Sequence, residues 1–446
     1  MKARSFWWLP LLANLWMPVF AQPGFEGPSI LSRGTRPIGR GDGRPIRIRG
    51  HVGFGAVYTD GLGAPGTAPD GKPYDVSGYG GNVQFGVYGG RTTNRDTVNV
   101  DYSGGMNVFS KSANFYSGLN QSLSLNYSRR VSNRWSMFSG VNATTANSVL
   151  ATYRPTLSQN YFSNPYNPAN ELFDNRMYAF GAGVGASYKA SSRLSLSLSG
   201  SSGTVVRRSQ GLISHYMWGS SGEANYALNA KSNVGAVYNF GQMGYRKGFG
   251  DAVVQSWMGM YGRQLSRRWV LGVGAGIYRA EMNRLAAVRL DPFLASIIGQ
   301  SLTVERFHSI NQGLSANANL GAAFRKSSVS FSYFRGVNPG NGVFLTSEAE
   351  GATANWSYNG FRRLNFGAGG GWGRMKSLLE TSAGLNRFEN YSGFTGMSYR
   401  LTNFLHFNSS LAATRAQIAG PNYLRSRYMI TAGLSFSPGE IPLMLW

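Results

Sequence analysis

Side chains able to do acid–base or nucleophilic chemistry are scarce in this chain of 446 residues. There are four histidines, His51, His215, His308 and His406, and no cysteine. A catalytic base needs a nucleophile or carboxylate within hydrogen-bond reach. His308 follows Glu305 closely, a base-plus-carboxylate pair of low specificity. His406 shares an alternating phase with Asn408 and Ser410, but one strand cannot supply a complete Ser/His/Asn set. Nothing has metal-ligand spacing, and thiolate ligands are absent. The expectation is a protein without enzymatic activity, cofactor or metal.

What the chain has in abundance is neutral hydrogen-bonding groups at every second position. Ser122, Ser124, Asn126 and Ser128 form one such row, Asn317 and Asn319 another, and Thr353, Asn355 and Ser357 a third. Hydroxyls and amides bind water and sugars and carry no net charge. Ser124, Asn126, Asn317, Asn319, Thr353 and Asn355 are therefore expected to line a polar lumen. The competing expectation is that small inward residues make room for a plug or packed loops.

The elements that must carry these rows alternate apolar and polar residues with period two. Leu194, Leu196 and Leu198 alternate with serines, and Trp269, Leu271, Val273, Ala275 and Ile277 alternate mostly with glycines. Tyr428, Ile430, Ala432, Leu434 and Phe436 repeat the pattern near the end. Such alternation means strands with one apolar face. No companion helices are available to cover so many strands, and closure into a barrel removes the exposed edges. Connections alternate long and short. Nine long ones (59–77, 109–117, 149–174, 207–215, 246–251, 281–309, 335–345, 374–386 and 414–426) and eight short ones give eighteen strands. Segment 246–251 is the marginal case, and sixteen strands follow if one hairpin is misread. The fold class is thus all-β: a transmembrane antiparallel up-and-down barrel.

Composition agrees. Charged residues are only 14% of the chain and aromatics 13%, whereas soluble domains carry roughly 25% charge. A barrel in lipid needs an apolar exterior. Residues 1–21 read as a signal peptide: Lys2 and Arg4 precede an apolar run, and Val19, Phe20 and Ala21 form a small-x-small cleavage site. Residues 22–45, rich in Gly, Pro and Arg, read as a periplasmic lead-in, residues 46–437 as the barrel and 438–446 as a tail. The net charge of +24 points to phosphate headgroups rather than nucleic acid, because no basic helix or base-stacking motif accompanies it.

The short turns share a pattern of an aromatic, then a basic or polar turn, then an apolar strand start. Tyr127 to Trp135, Tyr188 to Leu194 and Tyr261 to Trp269 are examples. The aromatics are expected to form an interfacial girdle. Arg130, Arg134, Arg267, Arg268, Arg362 and Arg363 are expected to form a periplasmic basic rim beside lipid phosphates. Loop cations such as Arg207, Arg208, Arg246, Lys247, Arg425 and Arg427 are candidates for lipopolysaccharide phosphates. In loop 281–309, Asp291 and Pro292 could start a short helix.

On this architecture the chain resembles the bacterial outer-membrane β-barrels, and within them the porins of sixteen to eighteen strands, over residues 46–437. The resemblance implies the cell outer membrane, reached after cleavage near Ala21, and handling by the barrel assembly machinery. It implies a porin-like channel for small hydrophilic solutes. The alternatives are the outer-membrane pore of a polysaccharide export system, with a periplasmic or inner-membrane partner, or a structural or adhesive barrel with a closed lumen. In such porins the third outer loop folds inward. By that resemblance loop 149–174 is the constriction candidate, with Arg154, Glu171, Asp174 and Arg176. Barrels of this class end on a strand-closing aromatic. Here Phe436 closes the pattern, and Pro438 and Pro442 argue against a nineteenth strand.

Overall fold

The computed structural model describes residues 46–67, 73–110, 117–147, 176–208, 212–246, 250–289, 302–342, 345–378, 387–419, 423–438 and 440–443. The segments read as signal peptide and lead-in lie outside the described residues. So do Arg154, Glu171, Asp174, Lys247 and the short helix expected after Asp291.

The barrel strands are β1 (Ile46–Thr67), β2 (Pro73–Thr92), β3 (Asp96–Phe109), β4 (Gly118–Arg130), β5 (Trp135–Asn147), β6 (Arg176–Lys189), β7 (Leu194–Arg207), β8 (His215–Asn229) and β9 (Ser232–Tyr245). They continue as β10 (Gly250–Gln264), β11 (Trp269–Arg289), β12 (Leu302–Ala323), β13 (Ser327–Asn338), β14 (Ser347–Tyr358), β15 (Leu364–Ser377), β16 (Arg387–Arg400), β17 (Leu405–Ala419) and β18 (Tyr423–Phe436). Each strand pairs antiparallel with its neighbours in sequence, and β1 pairs with both β2 and β18, so the eighteen strands close. The marginal connection between β9 and β10 is a true, short hairpin.

The period-two rows resolve into an outer and an inner wall. Leu198, Val184, Leu314, Ile277 and Phe54 stand exposed on the outer wall, where lipid covers them. The serines, asparagines and glycines between them face inward. At the tight-turn end Tyr127, Trp135, Tyr226, Trp356 and Tyr399 are exposed on the outside, with Trp135 and Tyr188 ring centroids 4.7 Å apart. At the long-loop end Tyr79, Tyr178, Tyr216, Trp218 and Tyr391 are exposed likewise. Two aromatic belts separated by eight to ten strand residues stand ~20–25 Å apart on tilted strands, the height of the apolar band of such barrels.

The eight tight turns are tied together by one repeated device. In every turn the carbonyl of the last residue accepts an N–H from the end of the neighbouring hairpin: Arg130 to Arg95, Lys189 to Arg134, Ala227 to Arg193, Gln264 to Lys231, Ala323 to Arg268, Asn359 to Lys326, Arg400 to Arg363 and Ser437 to Phe404. Seven of those eight acceptor residues are Arg or Lys. In five turns a Ser or Thr oxygen accepts the N–H that opens the next strand: Thr93, Ser132, Ser191, Ser266 and Thr402. These hydroxyls cap donors that the ladder leaves over.

The expectation of no further strand is corrected. A short β19 (Glu440–Leu443) pairs antiparallel with Ile46–Arg49, below the β1–β18 pairing. Pro442 is tolerated there because β19 pairs on one side only, so its missing N–H costs no ladder bond. Ser437 Oγ donates to Gly50 O at 3.0 Å where the pairing changes hands.

Gly276 sits where β11 presses on β10: a Cβ there would lie 1.8 Å from the Trp257 carbonyl oxygen, whereas one at Gly321 would meet nothing within 4 Å. Gly276→Ala is expected to cost about 1–3 kcal/mol and Gly321→Ala no more than about 0.5 kcal/mol. Urea unfolding of the two variants in the same lipid vesicles compares them directly.

Candidate functional site

The inner wall divides into two halves of different character. Toward the tight turns it is neutral, polar and open. Ser195 on β7, Asn319 on β12, and Ser328 and Ser330 on β13 are exposed although they face inward, and Ser197 and Ser199 are half-buried, so they border a water-accessible vestibule. Their neighbours bond across the strands: Ser136 to Ser187 at 2.6 Å, Ser328 to Ser357 at 2.7 Å, Ser332 to Thr353 at 2.7 Å and Ser410 to Thr431 at 2.6 Å. The six residues singled out as lumen lining all lie on inward phases. Asn126 donates to Ser124 Oγ at 3.0 Å on β4. Asn317 and Asn319 lie on β12, and Thr353 and Asn355 on β14, with Ser124, Asn317 and Thr353 buried and Asn319 exposed.

Charge is sparse on this wall. Midway up β8, Glu223 Oε2 accepts from Ser197 Oγ at 3.4 Å, and its other oxygen accepts from Asn225 Nδ2. Asp101 faces inward on β3, opposite Ser124. Inward cations stand at the two ends: Arg130, Lys189 and Arg400 beside the tight turns, Arg207, Arg425 and Arg427 beside the long loops.

Toward the long loops the inner wall is apolar and packed. Met217, Met243, Val254, Tyr278, Met282, Phe334, Met375 and Phe388 all face inward and form one buried cluster. Inward residues in a barrel this wide are buried only if chain folds against them. Here residues of β8–β11 and of β13–β16 pack on one another, and beside them the connection between β13 and β14 lies against β9. Tyr245 Oη, on β9, is 2.7 Å from Thr346 Oγ1 and donates to Pro339 O at 3.4 Å. Ile213 N donates to Gly342 O at 3.0 Å, and Leu378 N to Thr346 O at 3.1 Å. The described residues 339–342 and 345–346 thus form a strap at the end of β13 and β14, fastened to β9 through Tyr245 and to the stretch before β8 through Ile213. Gly340 and Gly342 make the inward turn, with φ of 78° and 89°, a region that favours glycine. Gly340 N also bonds Asn338 Oδ1 at 2.9 Å.

Arg207 holds the far end of the strap. Its Nη1 donates to Ile213 O at 2.8 Å and lies 3.3 Å from His215 Nδ1, and its side chain packs on Gly342. This corrects the assignment of Arg207 and Arg425 to solvent-facing loops: both are buried on the inner wall, and Arg425 Nε donates to Gly61 O at 2.8 Å. Segment 335–345 was expected as an outer loop, yet its Asn-Pro-Gly-Asn-Gly stretch turns it into the bore. Two closely spaced glycines were the available signal, and the partner that decides their use, Tyr245, is remote in sequence. Arg176, from the expected constriction set, opens β6 with its guanidinium against Gly118.

Of the histidines, His308 Nδ1 contacts Asn283 Oδ1 at 3.1 Å, while His51, His215 and His406 are buried on the inner wall. Among the described residues no group of three or more His, Asp and Glu could hold a metal ion. At the rim, Arg130 Nη2 donates to Asn94 O at 3.1 Å and Arg268 lies 5.7 Å from the Phe324 ring. Arg134, Arg268 and Arg363 supply acceptor carbonyls to the ring of turns, whereas Arg267 and Arg362 occupy the exposed turns themselves. The outer wall near the long loops carries its own ion pairs, Arg335 with Glu348 at 2.6 Å, Arg374 with Glu350 and Arg387 with Glu389.

No family model matches the sequence, and no curated protein sequence matches it. Solved structures similar in shape include a BenF-like porin from Pseudomonas fluorescens Pf-5, at 10% identity and TM-score 0.41 over 89% of this chain and 99% of that one. OccK2 (OpdF) of Pseudomonas aeruginosa has 12% identity and TM-score 0.40 over 88% and 98%. The ferric citrate transporter FecA has 11% identity and TM-score 0.43 over 84% of this chain, which spans 60% of that transporter. These are likenesses of barrel to barrel. The eighteen-strand architecture rests on this chain's own strand pairing.

Removing the Tyr245 hydroxyl leaves Thr346 Oγ1 and the Pro339 carbonyl without that partner, a loss of about 1–3 kcal/mol. Tyr245→Phe, and separately Gly342→Ala, should speed hydrogen exchange in 338–347 while leaving the β3–β7 amides unchanged. Uniform exchange across both regions would show that the strap is not held at these points.

Proposed function

We propose that the chain is an outer-membrane channel barrel that admits small hydrophilic solutes through its neutral vestibule, with the strap as constriction. The observation that carries this reading is the exposure of inward Ser195, Asn319, Ser328 and Ser330, since exposed inward polar groups need water beside them. Barrels of sixteen to eighteen strands leave an aqueous bore when nothing fills it. A neutral lining would also let a sugar chain slide, so a polysaccharide export pore with an envelope partner is the related alternative. A closed structural or adhesive barrel is the second reading, favoured by the buried apolar cluster behind the strap.

The proposed location is the outer membrane, after removal of the leader near Ala21 and insertion by the barrel assembly machinery. The tight turns then face the periplasm, and the outer ion-pair belt lies at lipopolysaccharide headgroup height. In this setting Arg267, Arg268, Arg362 and Arg363 meet anionic phosphates, worth about 1 kcal/mol per cation near the surface.

Reconstituted full-length protein is expected to give discrete conductance steps in planar bilayers. Replacing 339–346 by a short Gly-Ser turn should enlarge them. Silence from both proteins, with barrel folding verified by heat-modifiable migration, sinks the channel reading. Steps from the strapless variant alone would favour the closed barrel.

The rim is tested separately. Changing Arg267, Arg268, Arg362 and Arg363 together to Gln should slow assembly into anionic vesicles and leave assembly into zwitterionic vesicles unaffected. Equal slowing in both would assign these cations to folding rather than to headgroup contact.

A further inference from the structure

The chain carries a net charge of +24, and a pore built from it would be expected to prefer anions. The distribution of charge along the inner wall argues the opposite. Inward cations are confined to the two ends, and the middle of the described inner wall is Gly, Ser, Asn, Thr and apolar residues. The charged groups at that height are the carboxylates of Glu223 and Asp101. Glu223 is only partly buried. Its partners are the Ser197 hydroxyl and the Asn225 amide, both neutral donors. Neutral donors orient a carboxylate and bring no opposing charge to it. No ion pair joins Glu223 to a cation among the described residues.

We infer that Glu223 sets a cation preference in the lumen, with Ser197 and Asn225 as the groups that position it. The inference rests on the channel reading and specifies its ion selectivity. For an ion passing this wall at mid-height, a unit charge ~4 Å away in water changes its population about fivefold. The rim cations are spread around a wide, exposed mouth and are screened beyond ~10 Å at moderate salt. They raise the local anion concentration at the entrance and act only weakly at mid-height. Near this wall, amines and metal cations are then favoured over carboxylates and phosphates of equal size.

The test is the reversal potential of single channels of the full-length protein in a KCl gradient. The wild type should favour potassium over chloride. Glu223→Gln, which keeps both hydrogen-bonding neighbours satisfied, should abolish or invert that preference at nearly unchanged conductance. The absence of cysteine from the chain permits a second arm. Glu223→Cys should regain the preference after reaction with a sulfonate-bearing thiosulfonate and prefer anions after reaction with a trimethylammonium one. This arm works on protein already inserted and conducting, so misfolding cannot mimic the result. Channels that conduct but favour chloride, or that ignore the charge placed at 223, overturn the inference while leaving the channel reading intact. A membrane that stays silent with folded protein overturns both.

Discussion

Every backbone N–H and C=O inside a bilayer must find a partner within the protein, because hydrocarbon offers none. For a chain made of strands that demand has one solution, a sheet that closes on itself, and most of what is described above follows from it. The register of β1 against both β2 and β18 supplies the closing bonds. The same demand explains the end of the barrel. There the ladder stops, and each turn passes a carbonyl to the next hairpin while Ser or Thr hydroxyls take leftover donors. The cations in those turns are placed by the backbone device. Seven of the eight acceptor positions hold Arg or Lys, so the basic rim and the closing ring of bonds are one structure.

Closure also fixes what the inner wall can be. Once alternation sends the bulky apolar residues to lipid, the inward positions are free to be small and polar, and over the tight-turn half they are. The long-loop half departs from this. Its inward methionines and aromatics would be costly facing water, at roughly 1.5–3 kcal/mol for each large side chain left uncovered. They cover one another in a single cluster drawn from β8–β11 and β13–β16, and the strap beside them has its polar groups met by Tyr245, Ile213 and Leu378. The apolar cluster and the inward glycine turn stand at the same end of the barrel. Together they turn a uniform tube into a vestibule below and a narrowed mouth above.

Electrostatics follows the same division. Among the described residues the cations stand at the ends of the barrel and on its outer wall. The middle of the inner wall holds carboxylates among neutral groups, Glu223 most plainly. Net charge and local charge disagree here because alternation and closure decide independently which cations reach the lumen.

Residue order alone established the strand periodicity, the count of eighteen, the basic turns and the inward phase of rows such as Ser122 to Ser128, since side-chain direction in a strand depends only on parity along the chain. It misplaced Arg207 and Arg425, treated 335–345 as an outer loop and discounted β19. Each error concerns a segment whose position is set by a partner on a non-neighbouring strand: His215 and Gly342 for Arg207, Gly61 for Arg425, Tyr245 for the strap, and Ile46–Arg49 for β19. Parity is a local property and can be read residue by residue. What folds into the bore depends on contacts between residues tens to hundreds of positions apart, and these exist only once the sheet has closed and brought its inner faces together.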